Sequence, residues 1–254
     1  MPRSQQCKKA ATIAGLVATL ILAGCSGGMD RNPGDGIHDP YETRNRKVHA
    51  FNKELDRDLI RPLAIGYSRA MPDEFEDSIG HFATNLGQPS VTVNSLLQGD
   101  LRGAGISFSR FLINSTLGFG GLFDVASDFG VEQHDTDFGE TLHVWGAEEG
   151  AYVEAPLFGP STTRDSIGRV VDFFTNPLSY ELDDPERYTP PAASALAGIG
   201  DRGRYSETVD SILYDSADSY SQARLIYLQN RRFQLGIGDE STEIDPFALN
   251  TEGF

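Results

Sequence analysis

Three stretches of this chain carry residue types that can do chemistry. The first, His134-Asp135-Thr136-Asp137-Phe138-Gly139-Glu140-Thr141-Leu142-His143, gathers two histidines and three carboxylates, all possible metal donors. No pair has the tight His-x-x-x-His spacing that puts two ligands on one helix face. The better reading has Asp137 capping a short helix while Thr141, Leu142 and Trp145 pack, with no metal site. The second, Gly118-Phe119-Gly120-Gly121, looks like part of a dinucleotide loop. No strand pattern precedes it and no third glycine follows at the required spacing, so no cofactor is expected. The third is the run after Ser161, where Arg164, Asp165, Arg169 and Asp172 fall on one helix. Residues 165, 169 and 172 are four and three apart and can share one side. Mixed charges on a helix are usually a solvated face; the sharper reading is a polar wall along a path. Nucleophilic catalysis needs Ser or Cys beside His and a carboxylate. No Gly-x-Ser-x-Gly elbow is present, and Gly159-Pro160-Ser161 reads as a helix cap. No catalytic residue is assigned.

The N-terminus carries a different chemistry. Arg3, Lys8 and Lys9 precede an uncharged run, Ala10 to Ala23, too short for a spanning helix and right for a signal peptide. It ends in Leu22-Ala23-Gly24-Cys25, which resembles a bacterial lipoprotein signal: cleavage before Cys25 would leave its thiol for lipidation. Residues 1–24 are therefore the signal. The other cysteine, Cys7, goes with it, so the mature chain has no disulfide. Losing three basic residues moves the formal charge from −16 to −19. Such an acidic chain is a poor partner for nucleic acid. Ser26 follows the cysteine where an aspartate would mark inner-membrane retention, which points to the outer membrane.

Residues 25–38 are a Gly-, Ser- and Pro-containing linker that cannot build a core. The elements that position the candidates follow. Asp39-Pro40 is expected to cap a first helix, with Val48, Phe51, Leu55 and Leu59 at helical spacing and Arg61-Pro62 as its end. A second helix starts near Pro72, carries the stripe Phe75, Ile79, Phe82 and Leu86, and stops at Gly87 and Pro89. Val91 to Leu97 reads as a short helix closed by Gly99, and Leu101 to Thr116 as another. Gly118, Gly120 and Gly121 then form the hinge of an apolar helical hairpin completed by Leu122 to Phe129. Ser161-Thr162-Thr163 caps the charged helix, whose apolar face is Ile167, Val170, Val171 and Phe174. Asp184 to Pro191 is a loop, Tyr205 to Phe233 is helical, and 236–254 is a disordered tail. The fold class is mainly α, a single domain over 39–235.

Arg110 to Ala126 is uncharged between its first residue and Asp124. It is too short to cross a roughly 30 Å hydrocarbon core. By pattern alone it is either a buried core hairpin or an apolar hairpin lying in one leaflet.

The motifs resemble the MlaA (VacJ) lipoproteins. Asp39-Pro40-Tyr41-Glu42, Asn45-Arg46, Phe51-Asn52, Leu55-Asp56 and Arg61-Pro62-Leu63-Ala64 match the family's start. Asn85-Leu86, Pro89, Val93-Asn94 and Leu97-Gln98-Gly99-Asp100 follow, then Arg110-Phe111-Leu112, Asn114 to Gly118 and Gly120 to Ala126. Phe138-Gly139, Thr141-Leu142, Trp145-Gly146, Tyr152, Pro156, Gly159-Pro160-Ser161 and Arg164-Asp165 complete the series, in order over roughly residues 39 to 180. The resemblance implies a helical ring embedded in one leaflet with an amphipathic channel. It implies transport of misplaced phospholipids from the outer leaflet to a soluble periplasmic carrier, without enzymatic activity, and association with trimeric outer-membrane porins. Two rival functions remain: a lipoprotein phospholipase, and a porin-associated structural lipoprotein that transports nothing.

Overall fold

The computed structural model describes residues 37–237. The signal, Cys25, most of the linker and the tail beyond Ile237 lie outside the described residues. The body from Tyr41 onward is built almost wholly of helices; residues 37–40 precede it without helix or strand.

Helix α1, Glu42–Leu55, starts later than the Asp39-Pro40 signal promises: its N-cap is Tyr41, with no side-chain cap. Nor does Arg61-Pro62 end it. The chain runs through a π-helical segment, Asp56–Ile60, directly into α2, Arg61–Ala70, with Pro62 in the first turn of α2. A proline there forfeits no necessary hydrogen bond. The wide π turn brings buried Asp56 to Arg202, at 2.9 and 2.8 Å, and to the Tyr214 hydroxyl at 2.6 Å. Burial, with Asp56 as its hydrogen-bond acceptor, pushes Tyr214 up to about 12.

Helix α3 corrects a second expected break. Asp73–Gln98 is one helix of 26 residues with Gly87 and Pro89 inside it. An interior proline costs about 3 kcal/mol, yet α3 packs along α4, Leu101–Thr116, and along α9, Thr189–Arg204. Tertiary packing outweighs the local penalty. Helix α4, Leu101–Thr116, has the expected bounds, with Asp100 capping Gly103 N at 2.9 Å. Two short helices follow, α5 (Val125–Asp128) and α6 (Phe138–Val144).

An antiparallel pair unseen in the sequence comes next: β1, Tyr152–Ala155, and β2, Gly159–Thr162, with Tyr152 opposite Thr162. Four-residue strands are too short for period-two alternation to register. The free edge of β1 is closed by α1. Asn45 donates to Tyr152 O and accepts from Glu154 N, both at 3.1 Å, and Asn52 donates to Ala155 O at 3.0 Å. Two asparagines seven residues apart thus replace a third strand.

Helix α7, Thr163–Thr175, is capped by Thr162. Helix α8, Leu178–Glu181, precedes the expected loop 184–191, which holds a 3-10 turn, Glu186–Tyr188, and the first residues of α9. The expected single helix after Tyr205 is α10 (Ser206–Asp210), a π segment (Ser211–Asp215), a break, and α11 (Ser219–Gln234). Gly236, at φ +66°, and Ile237 close α11 with bonds to Phe233 O and Arg232 O, a Schellman end. The first two residues of the expected tail are therefore part of the fold.

Candidate functional site

The apolar run Arg110 to Ala126 is organised around a buried charge. Arg110 is 2 % exposed, and one guanidinium nitrogen donates to both Asp124 carboxylate oxygens, at 2.7 and 2.8 Å. It also donates to Ser127 Oγ and to Val131 O. Asn114 donates to Asp124 at 2.9 Å and accepts from Ala126 N at 2.8 Å. Burial alone would raise the Asp124 carboxyl, but hydrogen bonds from Ser127, Asn114 and Arg110 win and hold it near 2. The polar groups point inward, whereas Phe108, Leu112, Leu117, Phe119 and Phe123 are all exposed. The second arm of the hairpin is only the one-turn α5, so the pairing is a long helix against a turn.

The turn is left-handed for three residues: Phe119 at φ +53°, Gly120 at +76° and Gly121 at +100°. Gly120 has open space where a Cβ would stand, but a Cβ on Gly121 would lie 2.5–2.8 Å from the Asn85 side chain. A Cβ on Gly118 would strike Phe123 O at 2.2 Å. Gly118 and Gly121 thus serve close packing, and Gly120 alone needs only its backbone freedom.

The four charged residues of α7 divide. Arg164 and Asp165 are buried, at 3 % and 4 % exposure. Asp165 accepts from the Tyr227 hydroxyl at 2.6 Å and from Arg231 at 3.1 Å. Arg231 also reaches Asp137 at 2.7 Å. Burial would raise Asp165, but Tyr227, Arg231 and Arg164 together hold it below the usual range. Asp172 is half-buried, accepting from Asn94 at 2.8 Å and Phe138 N at 2.9 Å, and burial raises it. Arg169 is exposed, with one bond to Pro160 O at 3.3 Å. The expected stripe of 165, 169 and 172 is therefore not one surface. Close helix contact enables the buried part: a Cβ on Gly168 would lie 2.4 Å from Gly139 N.

The same reversal runs through the molecule. On α1 and the π segment that continues it the inward side is Asn45, His49 and Asp56, and the expected apolar stripe faces out at Phe51 and Leu59. On α3 Asn85, Gln88, Asn94 and Ser95 are buried while Phe75 is 62 % exposed. On α7 Val170, Phe173 and Phe174 face out. Trp145, expected to pack, is 56 % exposed. Among the described residues, buried polar side chains outnumber buried hydrophobic ones. Monomers in water rarely expose so much large apolar surface. No helix of the described residues is long and apolar enough to cross a membrane.

The family model for the MlaA lipoprotein matches residues 37–234. The chain belongs to the MlaA lipoprotein family. It is 33% identical over 240 residues to the Intermembrane phospholipid transport system lipoprotein MlaA of Escherichia coli, covering 91% of each chain. It is 41% identical over 201 residues to protein RP093 of Rickettsia prowazekii, covering 78% of each. A solved structure described as the structural basis for maintenance of bacterial outer membrane lipid asymmetry superposes with a TM-score of 0.67. That structure is 33% identical, and the match covers 78% of this chain and 98% of that one.

Two features of this MlaA-family chain escape sequence reasoning. One is the inward placement of Arg110, Asp124 and Arg231, since periodicity groups residues on a face without saying which side that face meets. The other is a trio far apart in sequence. His49 lies between Glu154 Oε1, at 3.2 Å, and Ser219 Oγ, at 3.0 Å. These are the distances of a Ser-His-carboxylate relay, but all three side chains are buried, and Tyr152 also holds Glu154 at 2.5 Å. Among the described residues no group of three or more His, Cys, Asp or Glu side chains is placed to hold a metal. Of the expected cluster, Asp137 caps α6 through Glu140 N at 2.7 Å, and Thr141 and Leu142 are buried.

Proposed function

We propose that this protein is an outer-membrane lipoprotein that sits in the periplasmic leaflet and conducts misplaced phospholipids out of the outer leaflet. The lipid passes to a soluble periplasmic carrier, and outer-membrane lipid asymmetry is preserved. The carrying observation is the reversed polarity: apolar side chains outside, charged and amide side chains inside. A lipid headgroup crossing hydrocarbon loses its hydration at a cost of several kcal/mol. A wall of fixed polar groups replaces that water. Helices tolerate acyl chains because their backbone hydrogen bonds are internal, and α4, at about 24 Å, is shorter than a roughly 30 Å hydrocarbon core. The same apolar exterior suits the flank of a trimeric porin. No hydrolysis is required, because removal by the carrier drives the flow.

The test is outer-leaflet phospholipid in cells lacking the endogenous protein and carrying variants of this chain. Wild type should restore asymmetry. Asp172→Asn and Arg169→Ala, which leave the Asp165–Arg231 lattice in place, should leave phospholipid in the outer leaflet at normal protein level. Normal asymmetry in both, and in Arg164→Ala and Asp165→Asn, would leave the charges of α7 with no part in lipid passage. Intact porin association without any asymmetry defect on deletion would favour a scaffold. The Ser219–His49–Glu154 trio gives the phospholipase reading its one specific observation. Fatty acid released by purified wild type and not by Ser219→Ala would establish it.

Anchoring is a separate prediction. Cys25→Ser should abolish labelling by a fatty-acid analogue and release the protein from stable membrane association, since one helical body without acyl chains lacks the second anchor that permanence needs. Equal labelling of mutant and wild type would refute it.

A further inference from the structure

A cavity of about 120 Å³ opens where α2, α3 and α9 meet, lined by Tyr67, Glu76, Asp77, His81, Leu196 and Arg204 among others. It is remote in sequence from the hairpin and from α7. Helix approach shapes it: a Cβ on Gly203 would lie 2.5 Å from Ala64 O, and one on Gly200 would touch the Tyr67 ring at 3.4 Å. Its chemistry is lopsided. Glu76, Asp77 and Asp201 contribute three carboxylates against the one guanidinium of Arg204.

The Glu76 side chain is 4 % exposed, and its Oε1 accepts no hydrogen bond. The Tyr67 hydroxyl is also buried without a partner, and burial together with the Glu76 charge raises it. A buried carboxylate oxygen left unpaired is costly, and Glu76 and Asp77 share the single charge of Arg204, so the cavity wall keeps a net negative potential. Arg204 does not cancel it. The guanidinium reaches Glu76 Oε2 at 3.4 Å and Asp77 at 2.8 Å through the same nitrogen, and its side chain is 37 % exposed. Its remaining donors stay available at the rim.

We propose that this recess holds the headgroup of an amine-bearing zwitterionic phospholipid, with the ammonium drawn to Glu76 and Asp77 and the phosphate on Arg204. This deepens the phospholipid reading and rests on it. An ammonium is favoured by carboxylates within about 4–6 Å even without direct contact, and a guanidinium fork is the natural partner of a phosphate. An anionic headgroup without an amine gains only the rim contact and meets the carboxylates as like charges. Leu196 and Ala197 in the lining give the glycerol end an apolar edge.

The test uses the full-length lipoprotein in neutral detergent with equimolar phosphatidylethanolamine and phosphatidylglycerol of identical chains, read by native mass spectrometry. Wild type should retain the ethanolamine lipid about tenfold over the glycerol lipid, as expected for a charge-assisted hydrogen bond. Glu76→Gln should erase that preference. Because Glu76 also pairs with Arg204, Gly80→Leu is the independent variant: Gly80 lines the recess, and a Cβ there meets nothing within 4 Å. It should fill the cavity without disturbing packing, and should lower ethanolamine-lipid retention to the level of the glycerol lipid. Equal retention of both lipids by wild type, or an unchanged ratio in both variants, overturns the proposal. Saturable binding of free phosphoethanolamine without retention of the intact lipid would overturn the lipid assignment in favour of a soluble amine. The measurement needs no transport, so a preference lost in both variants with asymmetry intact in cells would leave the conduit standing and set this recess off its path.

Discussion

Arg110→Met is expected to destabilise the protein by about 3–5 kcal/mol, because it strands a largely buried carboxylate among groups arranged for a cation. Asp124 accepts from Arg110, Asn114 and Ser127, so removing the guanidinium leaves its charge with neutral donors only. The loss should appear as a fall in melting temperature of roughly 6–20 °C for a domain of this size, read by circular dichroism in detergent. The double variant Arg110→Met with Asp124→Asn should recover a substantial part of it. Asn keeps the N-cap of α5 and can still accept from Asn114 or Ser127, but it carries no stranded charge. Equal melting of the single and double variants would mean the charge pair is not what holds the hairpin base.

The same carboxyl makes an acid signature with a fixed sign. Asp124 is held near 2 in the folded protein against an ordinary value of 3.8. Its contribution is fully present above pH 4 and is lost as the pH falls through about 2. The Asp124→Asn background should flatten stability across that window.

Helix positions were largely legible in the sequence, and helix faces were not. Leu101 to Thr116 is capped and bounded as its residues indicate, because Asp100 can only act from outside the first turn. Phe51 and Leu59 do repeat at helical spacing, yet they face out, and the assumption that apolar means interior is what failed. That assumption encodes water as the solvent. Where hydrocarbon is the surroundings, the same stripe reports the exterior. The breaks at Arg61-Pro62 and Gly87-Pro89 failed for another reason. Proline is a local penalty of about 3 kcal/mol, and a π turn or a long helix packed on two neighbours absorbs it. The edge of β1 was invisible because its partners, Asn45 and Asn52, lie about a hundred residues away and read locally as helix-surface amides. Arg164 and Asp165 read from the sequence as a solvated face or a polar wall, and the structure buries both. Asp165 finds its partners, Tyr227 and Arg231, on the last helix, which no spacing rule connects to α7, and Arg164 lies beside His143 Nδ1 at 3.4 Å.

The glycines after α4 give the second large effect, and the structure separates two roles that the sequence merges. Gly121→Ala is expected to cost about 3 kcal/mol. A positive φ charges an alanine about 1–2 kcal/mol, and its Cβ would press on Asn85, whose amide donates to Ser115 at 2.9 Å. Displacing that buried amide adds about 1 kcal/mol or more. Low accumulation and a lowered melting temperature should follow, and neither says anything about motion. Gly120→Ala is the informative variant. Its Cβ enters open space, so only the left-handed strain remains, about 1 kcal/mol. Phe119, exposed beside it, adopts φ +53° as a non-glycine residue, which shows that the turn can hold a side chain in this region. If Gly120 is a hinge for the apolar hairpin, Gly120→Ala should accumulate normally and melt within a few degrees of wild type, while outer-leaflet phospholipid rises. If Gly120→Ala transports as wild type does and only Gly121→Ala fails, the turn is a rigid packing device, and the hairpin does not move through it.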